Sequence, residues 1–211
     1  MRVYFVRHGE SEANASGVRQ GSDGHLSDKG REQARMIGER FKKTPIDIII
    51  SSTQNRAKET TAELLTIIDK KVSYSDLFVE RKNPTEMIGQ HWESDETQSM
   101  LASIFEHYDQ KEWHHSDEEN FFDLVARADK AIAYINELKA RDVLIVTHGF
   151  FVRVIVARLI FEETLTPQIF FKWLEATQMP NIGVVVCEEI LRPNSKLLPM
   201  RSGWRLESWN S

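Results

Sequence analysis

Four short apolar runs punctuate the chain. Val3-Tyr4-Phe5-Val6, Ile46-Asp47-Ile48-Ile49-Ile50, Val143-Leu144-Ile145-Val146 and Val184-Val185-Val186 are rich in β-branched and aromatic residues, and each reads as a buried strand. The first three are nearly continuous in apolar character, as strands covered on both faces are. Between the runs, apolar residues recur at helical spacing. Residues 28–42 place Ala34, Ile37 and Phe41 on one stripe, with Ser27 as the N-cap. Residues 54–68 align Ala57, Thr61, Leu64 and Ile68, and residues 120–139 align Leu124, Ala128, Ile132, Ile135 and Leu138. A further helix is expected after Gly149. Strands alternating with helices predict an α/β fold in three layers, a mostly parallel central sheet flanked by helices. Residues 201–209, with Trp204, Leu206 and Trp209 among polar neighbours, are read as an antiparallel edge strand.

Composition narrows the class. The chain has 211 residues, 41% hydrophobic and 28% charged, which are ordinary globular values and exclude a disordered chain. No Gly/Ser- or Pro-rich linker divides it, so residues 1–211 are expected to form a single domain. One cysteine, Cys187, excludes an intrachain disulfide framework and a four-cysteine zinc site. A net charge of -5 argues against a nucleic-acid partner, which asks for a basic footprint. No stretch approaches the ~20 apolar residues of a membrane span. The expectation is a cytoplasmic protein with no membrane partner.

The charge is unevenly distributed. Residues 86–123 hold eleven Asp or Glu against one basic residue, Lys111, and four of the seven histidines. Residues from about 80 to 140 are therefore expected to form an acidic, mainly helical cap insert. Its His114-His115 pair lacks a third ligand at metal spacing, and adjacent residues face apart on a helix, so it reads as a solvated loop. The aromatics Trp92, Phe105, Tyr108, Trp113, Phe121 and Phe122 read as a covering for the core, with one or two walling a cleft.

Candidate chemistry gathers at the strand ends, where open α/β sheets bind ligands. Arg7-His8-Gly9-Glu10-Ser11 follows the first strand directly. Arg7 is a fixed cation suited to an oxyanion, and Gly9 admits a ligand close to the backbone. Thr147-His148-Gly149 repeats the design after the third strand and opens a helix, whose free N–H groups favour phosphate. The end of the second strand adds Ser51-Ser52, with Arg56 about one turn into the next helix. Two histidines and two arginines at neighbouring strand ends make an anion pocket. Two guanidinium groups beside a divalent cation are unfavourable, so no metal is expected.

These segments resemble the signature of the histidine phosphatase superfamily, the phosphoglycerate-mutase-like proteins. Val6-Arg7-His8-Gly9-Glu10-Ser11 is similar to the family's leading motif, and Asn14 falls where the family has a pocket asparagine. Leu26-Ser27 through Gly30 to Gln33-Ala34, then Ser51-Ser52 through Arg56-Ala57, Glu80-Arg81, and Thr147-His148-Gly149, follow in the family's order from residue 3 to about 160. The resemblance implies that His8 attacks phosphorus, that Arg7, Arg56 and His148 hold the phosphoryl oxygens, and that Glu80 is the leaving-group acid. Glu86 lies close enough in sequence to compete for that last role. Asn14, Gln20, Gly21, Arg81 and Gly149 are the implied substrate contacts, and Arg19 reads as a surface residue within reach of an anion. No cofactor is implied.

The resemblance covers both phosphatases and mutases. Family mutases carry an asparagine after the second His-Gly, where this chain has Phe150, and hold their substrate with basic residues of the insert. An acidic insert disfavours a multiply charged anion. A phosphomonoester hydrolase acting through phosphohistidine on a phosphorylated small molecule or phosphoprotein is therefore expected. The alternatives are a phosphoglycerate-mutase-type phosphotransferase or a non-catalytic phosphate-binding scaffold.

Overall fold

The computed structural model describes residues 1–195 and 198–210. The described residues form one six-stranded sheet of β1 (Arg2–Arg7), β2 (Ile48–Ser52), β3 (Val72–Ser75), β4 (Asp142–Thr147), β5 (Val184–Ser195) and β6 (Leu198–Trp209), in the spatial order β3-β2-β4-β1-β5-β6. The first four run parallel. β5 is antiparallel to β1, and β6 is antiparallel to β5 at the sheet edge. The helices are α1 (Glu12–Ala15), α2 (Asp28–Phe41), α3 (Asn55–Leu65), α4 (Asp95–Glu106), α5 (Phe121–Asn136), α6 (Gly149–Phe161) and α7 (Pro167–Ala176).

Strand alternation divides the core into two layers. Val3 and Phe5 of β1 and Val143 and Ile145 of β4 pack towards α5 and α6. Val6, Leu144, Val146 and Ile49 pack on the other face, with Ile37 and Phe41 of α2 and Leu64 of α3. The apolar runs are continuous because both faces are covered. Ser27 caps α2 as expected, accepting from Gly30 N at 3.1 Å.

Several boundaries differ from the sequence expectation. The second strand begins at Ile48 and runs to Ser52, because Ile46 is buried in the turn that leads into it. β3 carries one polar residue in every two over four residues, too little pattern to stand out. β5 extends from the expected 184–186 to Ser195 through its pairing with β6. The expectation of a mainly helical 80–140 cap needs correction. Helix covers 95–106 and 121–136, and the second stretch is α5, whose Leu124, Ala128, Ala131 and Ile135 are core residues under the sheet. What reaches the strand ends is residues 80–120, with a single α-helix. The stripe read at 120–139 therefore belongs to the core and not to a cap.

Among the described residues, no helix is long and apolar enough to cross a membrane.

Candidate active site

Parallel register brings the chemistry together. Arg7 of β1 lies opposite Thr147 of β4, and Val146 lies opposite Ser51 of β2, so His8, His148 and Ser52 leave the same sheet edge. His8 continues the ladder by donating its backbone N–H to Thr147 O at 2.9 Å. Gly9 N donates to Thr60 Oγ1 at 3.0 Å, and that hydroxyl donates to Arg56 O at 2.7 Å, tying the His8 loop to the helix that carries Arg56. Gly9 serves packing more than ligand access. A Cβ there would overlap the Gly30 carbonyl, so the glycine lets α2 press against the loop.

The His8 ring is buried, and its hydrogen bonds fix its tautomer. Nδ1 lies 2.6 Å from Gly9 O, which is only an acceptor, so Nδ1 carries the proton. Nε2 accepts from Arg56 Nε at 3.3 Å and keeps its lone pair. Burial above all, then Arg56 and Arg7, holds the imidazole well below the usual histidine range, so the ring is neutral at neutral pH.

Arg56 is buried, donating to Gly21 O at 2.8 Å and Gln54 Oε1 at 2.5 Å. Burial lowers it to about 10, so it stays charged. Arg7 donates to Met179 O at 2.6 Å and to Asn14 Oδ1 at 3.5 Å. Gly149 leaves room for that guanidinium: a Cβ would stand 3.1 Å from Arg7 Cδ and Nε. His148 lies behind His8, ring centroids 5.1 Å apart, with Nε2 2.8 Å from Ser52 Oγ. Among the described residues, the buried nitrogens Arg7 Nε, Arg19 Nε and His148 Nδ1 have no hydrogen-bond partner. Two of these, Arg7 and Arg19, are cations that line one pocket together with Gln20, whose Oε1 also lacks a partner, and unsatisfied cationic donors there suit an anion.

Glu80 faces this group from the loop before α4. Its Oε1 accepts from Phe151 N at 3.0 Å and Arg81 N at 2.9 Å, and its Oε2 accepts from Phe150 N at 3.2 Å. The carboxylate thus sits on the N-terminus of α6. Arg127 of α5 fixes its backbone, donating to Val79 O at 2.7 Å and Glu80 O at 3.4 Å while forming a bidentate pair with Glu119. Glu86 stands elsewhere: it is exposed and accepts from Ser116 Oγ at 2.8 and 3.1 Å.

The pocket enclosed by these groups has a volume of about 200 Å³, with Arg7, His8, Asn14, Arg19, Arg56 and Glu80 in its lining. It shares Gln20, Arg56, Glu80 and Asn83 with a polar cleft of about 760 Å³, which Gly21 and Arg81 also line. Every residue expected at the site is therefore in the pocket, the cleft or directly behind them. Arg19 departs from its surface reading. It is half-buried and lines the pocket.

Three contributors are absent from the sequence expectation, two of them without a local signal. Asn181 donates to His8 O at 3.2 Å and Asn14 Oδ1 at 3.3 Å, brought there by the antiparallel β5. Arg127 reaches the site from the far side of the sequence. Arg153 lies one helical turn after Gly149, a spacing that would have pointed to it.

No acid of the 86–123 segment lines the 200 Å³ pocket, although Glu119 lines the adjoining cleft. Asp117 pairs with Lys82 and Thr85, Glu118 accepts from the backbone of His115 and Ser116, Glu119 pairs with Arg127, and Asp123 bonds His114 and Asn120. Arg19, Arg81 and Arg153 face the site instead. Among the described residues, no three His, Cys, Asp or Glu side chains are grouped to hold a metal ion.

A sheet flanked by helices, with paired His-Gly strand ends beside an arginine-lined pocket, is an arrangement suited to an anionic ligand. The model of the histidine phosphatase superfamily (branch 1) matches residues 3–176, and the chain belongs to that family. Its homologues include phosphatases and mutases. The chain is 26% identical over 167 residues to the adenosylcobalamin/alpha-ribazole phosphatase of Escherichia coli, covering 76% of this chain and 79% of that protein. It is 47% identical over 66 residues to the probable phosphoglycerate mutase GpmB of Salmonella choleraesuis, covering 31% and 30%. Other curated relatives are matched over only 30–40% of their length. The fold superposes on a mycobacterial glucosyl-3-phosphoglycerate phosphatase with a TM-score of 0.78 at 23% identity, covering 100% of this chain and 99% of that one.

Proposed function

We propose that the protein is a phosphomonoester hydrolase acting through a phosphohistidine on His8. The observation that carries this reading is the His8 ring: neutral, Nδ1 protonated by its bond to Gly9 O, Nε2 presenting a lone pair into a pocket of arginines. In the first half-reaction Nε2 attacks phosphorus as the ester P–O bond breaks. Arg7, Arg56 and His148 stabilise the charge on the equatorial oxygens. Glu80 gives its proton to the leaving oxygen. Oε2 suits that role, since it accepts one backbone N–H where Oε1 accepts two. In the second half-reaction Glu80 takes a proton from water, which attacks phosphorus, and the P–N bond breaks to release inorganic phosphate. Asn14 orders Arg7, and Gln20, Gly21 and Arg81 face the leaving group.

A hydrolase is favoured over a mutase by Phe150, whose ring stands beside Arg81 and Arg153 where the mutases have an asparagine. The longer of the two curated sequence matches reported above is to a phosphatase, which supports the same reading. The lone buried Cys187, its thiol pushed up to about 12 by burial, fits a reducing compartment, and we infer a cytoplasmic location.

Leaving-group dependence tests the acid. Glu80→Gln is expected to slow alkyl phosphates by about 10²-fold or more while aryl phosphates lose far less, because a phenolate leaves with little protonation. Equal losses on both substrates would remove Glu80 from the role, and a selective loss in Glu86→Gln would transfer it there.

A further inference from the structure

We propose that Trp92 is a specificity-determining residue whose indole packs against the leaving group, so that the substrate is a phosphomonoester with a hydrocarbon face, aromatic or aliphatic, close to the ester oxygen. This rests on the reading of the His8 pocket as the phosphoryl site. The large hydrophobic side chains exposed among the described residues are Met36, Tyr74, Ile88, Trp92 and Phe105. Two of these five stand at the site. Trp92 lines the pocket that holds His8 and Glu80, and Ile88 lines the adjoining cleft. Exposed apolar surface at the mouth of a polar pocket marks a place that a ligand covers.

The ring is exposed although its backbone is fixed. Residues 17–19 and 89–92 pair as a short antiparallel ladder. Arg19 N donates to Gln90 O, Gly89 N to Arg19 O and Trp92 N to Gly17 O, each at 2.9 Å, with Val18 opposite His91. Trp92 O accepts from Nε2 of Gln98, a residue of α4, at 2.7 Å. The indole is therefore presented from a set position.

No protein group engages that ring. Of the other tryptophans, Trp204 is in the core, Trp113 stacks on His107 with centroids 4.3 Å apart, and Trp173 and Trp209 meet edge to face at 5.2 Å. Trp92 belongs to neither layer of the core, and among the described residues its indole makes no hydrogen bond, ring contact or cation contact. The other aromatic ring of the pocket, Phe150, is already engaged, with Arg81 and Arg153 at 4.6 and 5.2 Å from its centre. A free indole face suits either a cation or a hydrocarbon surface. A cation is disfavoured here, because Arg7, Arg19, Arg56 and Arg153 line the same pocket, with Glu80 the carboxylate among its described residues. A hydrocarbon face meets no such repulsion, and covering the indole with it takes apolar area of both partners out of water.

Three alkyl phosphates with closely similar ester oxygens test this: phenylpropyl, cyclohexylpropyl and propyl phosphate. Binding is measured by calorimetry on His8→Ala, so that no turnover is needed. At least one ring-bearing compound is expected to bind about tenfold or more tightly than propyl phosphate. Trp92→Ala in the same background is expected to bring that ratio close to one while the affinity for propyl phosphate stays within about threefold. A gain shared by both rings identifies a general hydrocarbon face, and a gain with one alone selects the aromatic or the aliphatic kind. Ratios near one for both rings, a ratio that Trp92→Ala leaves intact, or an equal loss of all three ligands in that variant would overturn the assignment. Failure of the phosphatase reading is visible separately, as absence of aryl phosphate turnover by the wild-type protein.

Discussion

Two histidine–glycine pairs leave neighbouring strands of one sheet, and they are built for different work. His8 has one nitrogen tied to the backbone and the other open to the pocket, with a guanidinium aimed at its lone pair. His148 starts a 13-residue helix and is tied to Ser52, with its remaining nitrogen buried and unpartnered. Their glycines differ as well. Gly9 admits the backbone of α2, and Gly149 admits the side chain of Arg7. On the function proposed above, the same His-Gly pair yields the reactive ring in one place and a supporting group in the other. What distinguishes them is the element each glycine lets in.

Removing each ring in turn is the strongest way to break this comparison. His8→Ala is expected to lower kcat by at least about 10⁴-fold, because the nucleophile is gone. His148→Ala is expected to lower it by about 10²–10³-fold, the loss typical of one stabilising donor. Steady-state kinetics with an aryl phosphate measures both. A larger loss in His148→Ala than in His8→Ala would reverse the assignment.

Stability against pH sharpens the point that both rings are held neutral. Burial comes first among the causes lowering each, with Arg56 next, so both fall well below the ordinary histidine value of ~6.5. The unfolded chain then binds protons that the folded one does not as pH drops below that value. Stability is full above about pH 7 and falls by up to ~1.4 kcal/mol per pH unit for each ring on acidification. Urea denaturation between pH 7 and 5 measures the slope, and His148→Gln should flatten it. His25 and His114, raised by Glu59 and Asp123, act in the opposite sense over the same range, so the slope lost in His148→Gln is the measure, and an unchanged slope in that variant would mean that the His148 ring is charged or exposed.

Arg127 offers a smaller effect, away from both rings. It grips the carbonyls of Val79 and Glu80 and stacks 3.7 Å from the ring of Phe151, whose N–H holds Glu80. Arg127→Leu is expected to cost about tenfold in kcat on alkyl phosphates and less on aryl phosphates. An equal loss on both would show a general loosening of the fold instead.

The comparison also indicates what the sequence could tell. Both His-Gly pairs, Arg56 and the parallel core strands were legible because each is a local pattern: an apolar run, then a polar turn, then a helix. β3 was not, since Val72-Ser73-Tyr74-Ser75 pairs only with β2 and buries little. Asn181 depended on β5 running antiparallel beside β1, an arrangement that no local pattern encodes. Arg19 was read as a surface residue because a single arginine in a polar loop carries no pattern that says which way it faces.

Trapping the intermediate tests the central claim most directly. The protein is mixed with a phosphomonoester labelled in phosphorus, quenched in milliseconds, digested under alkaline conditions and mapped by mass spectrometry. The account predicts phosphate on the peptide carrying His8, lost on brief acid treatment and absent in His8→Ala. Turnover without that label, or label on any other residue, would contradict it.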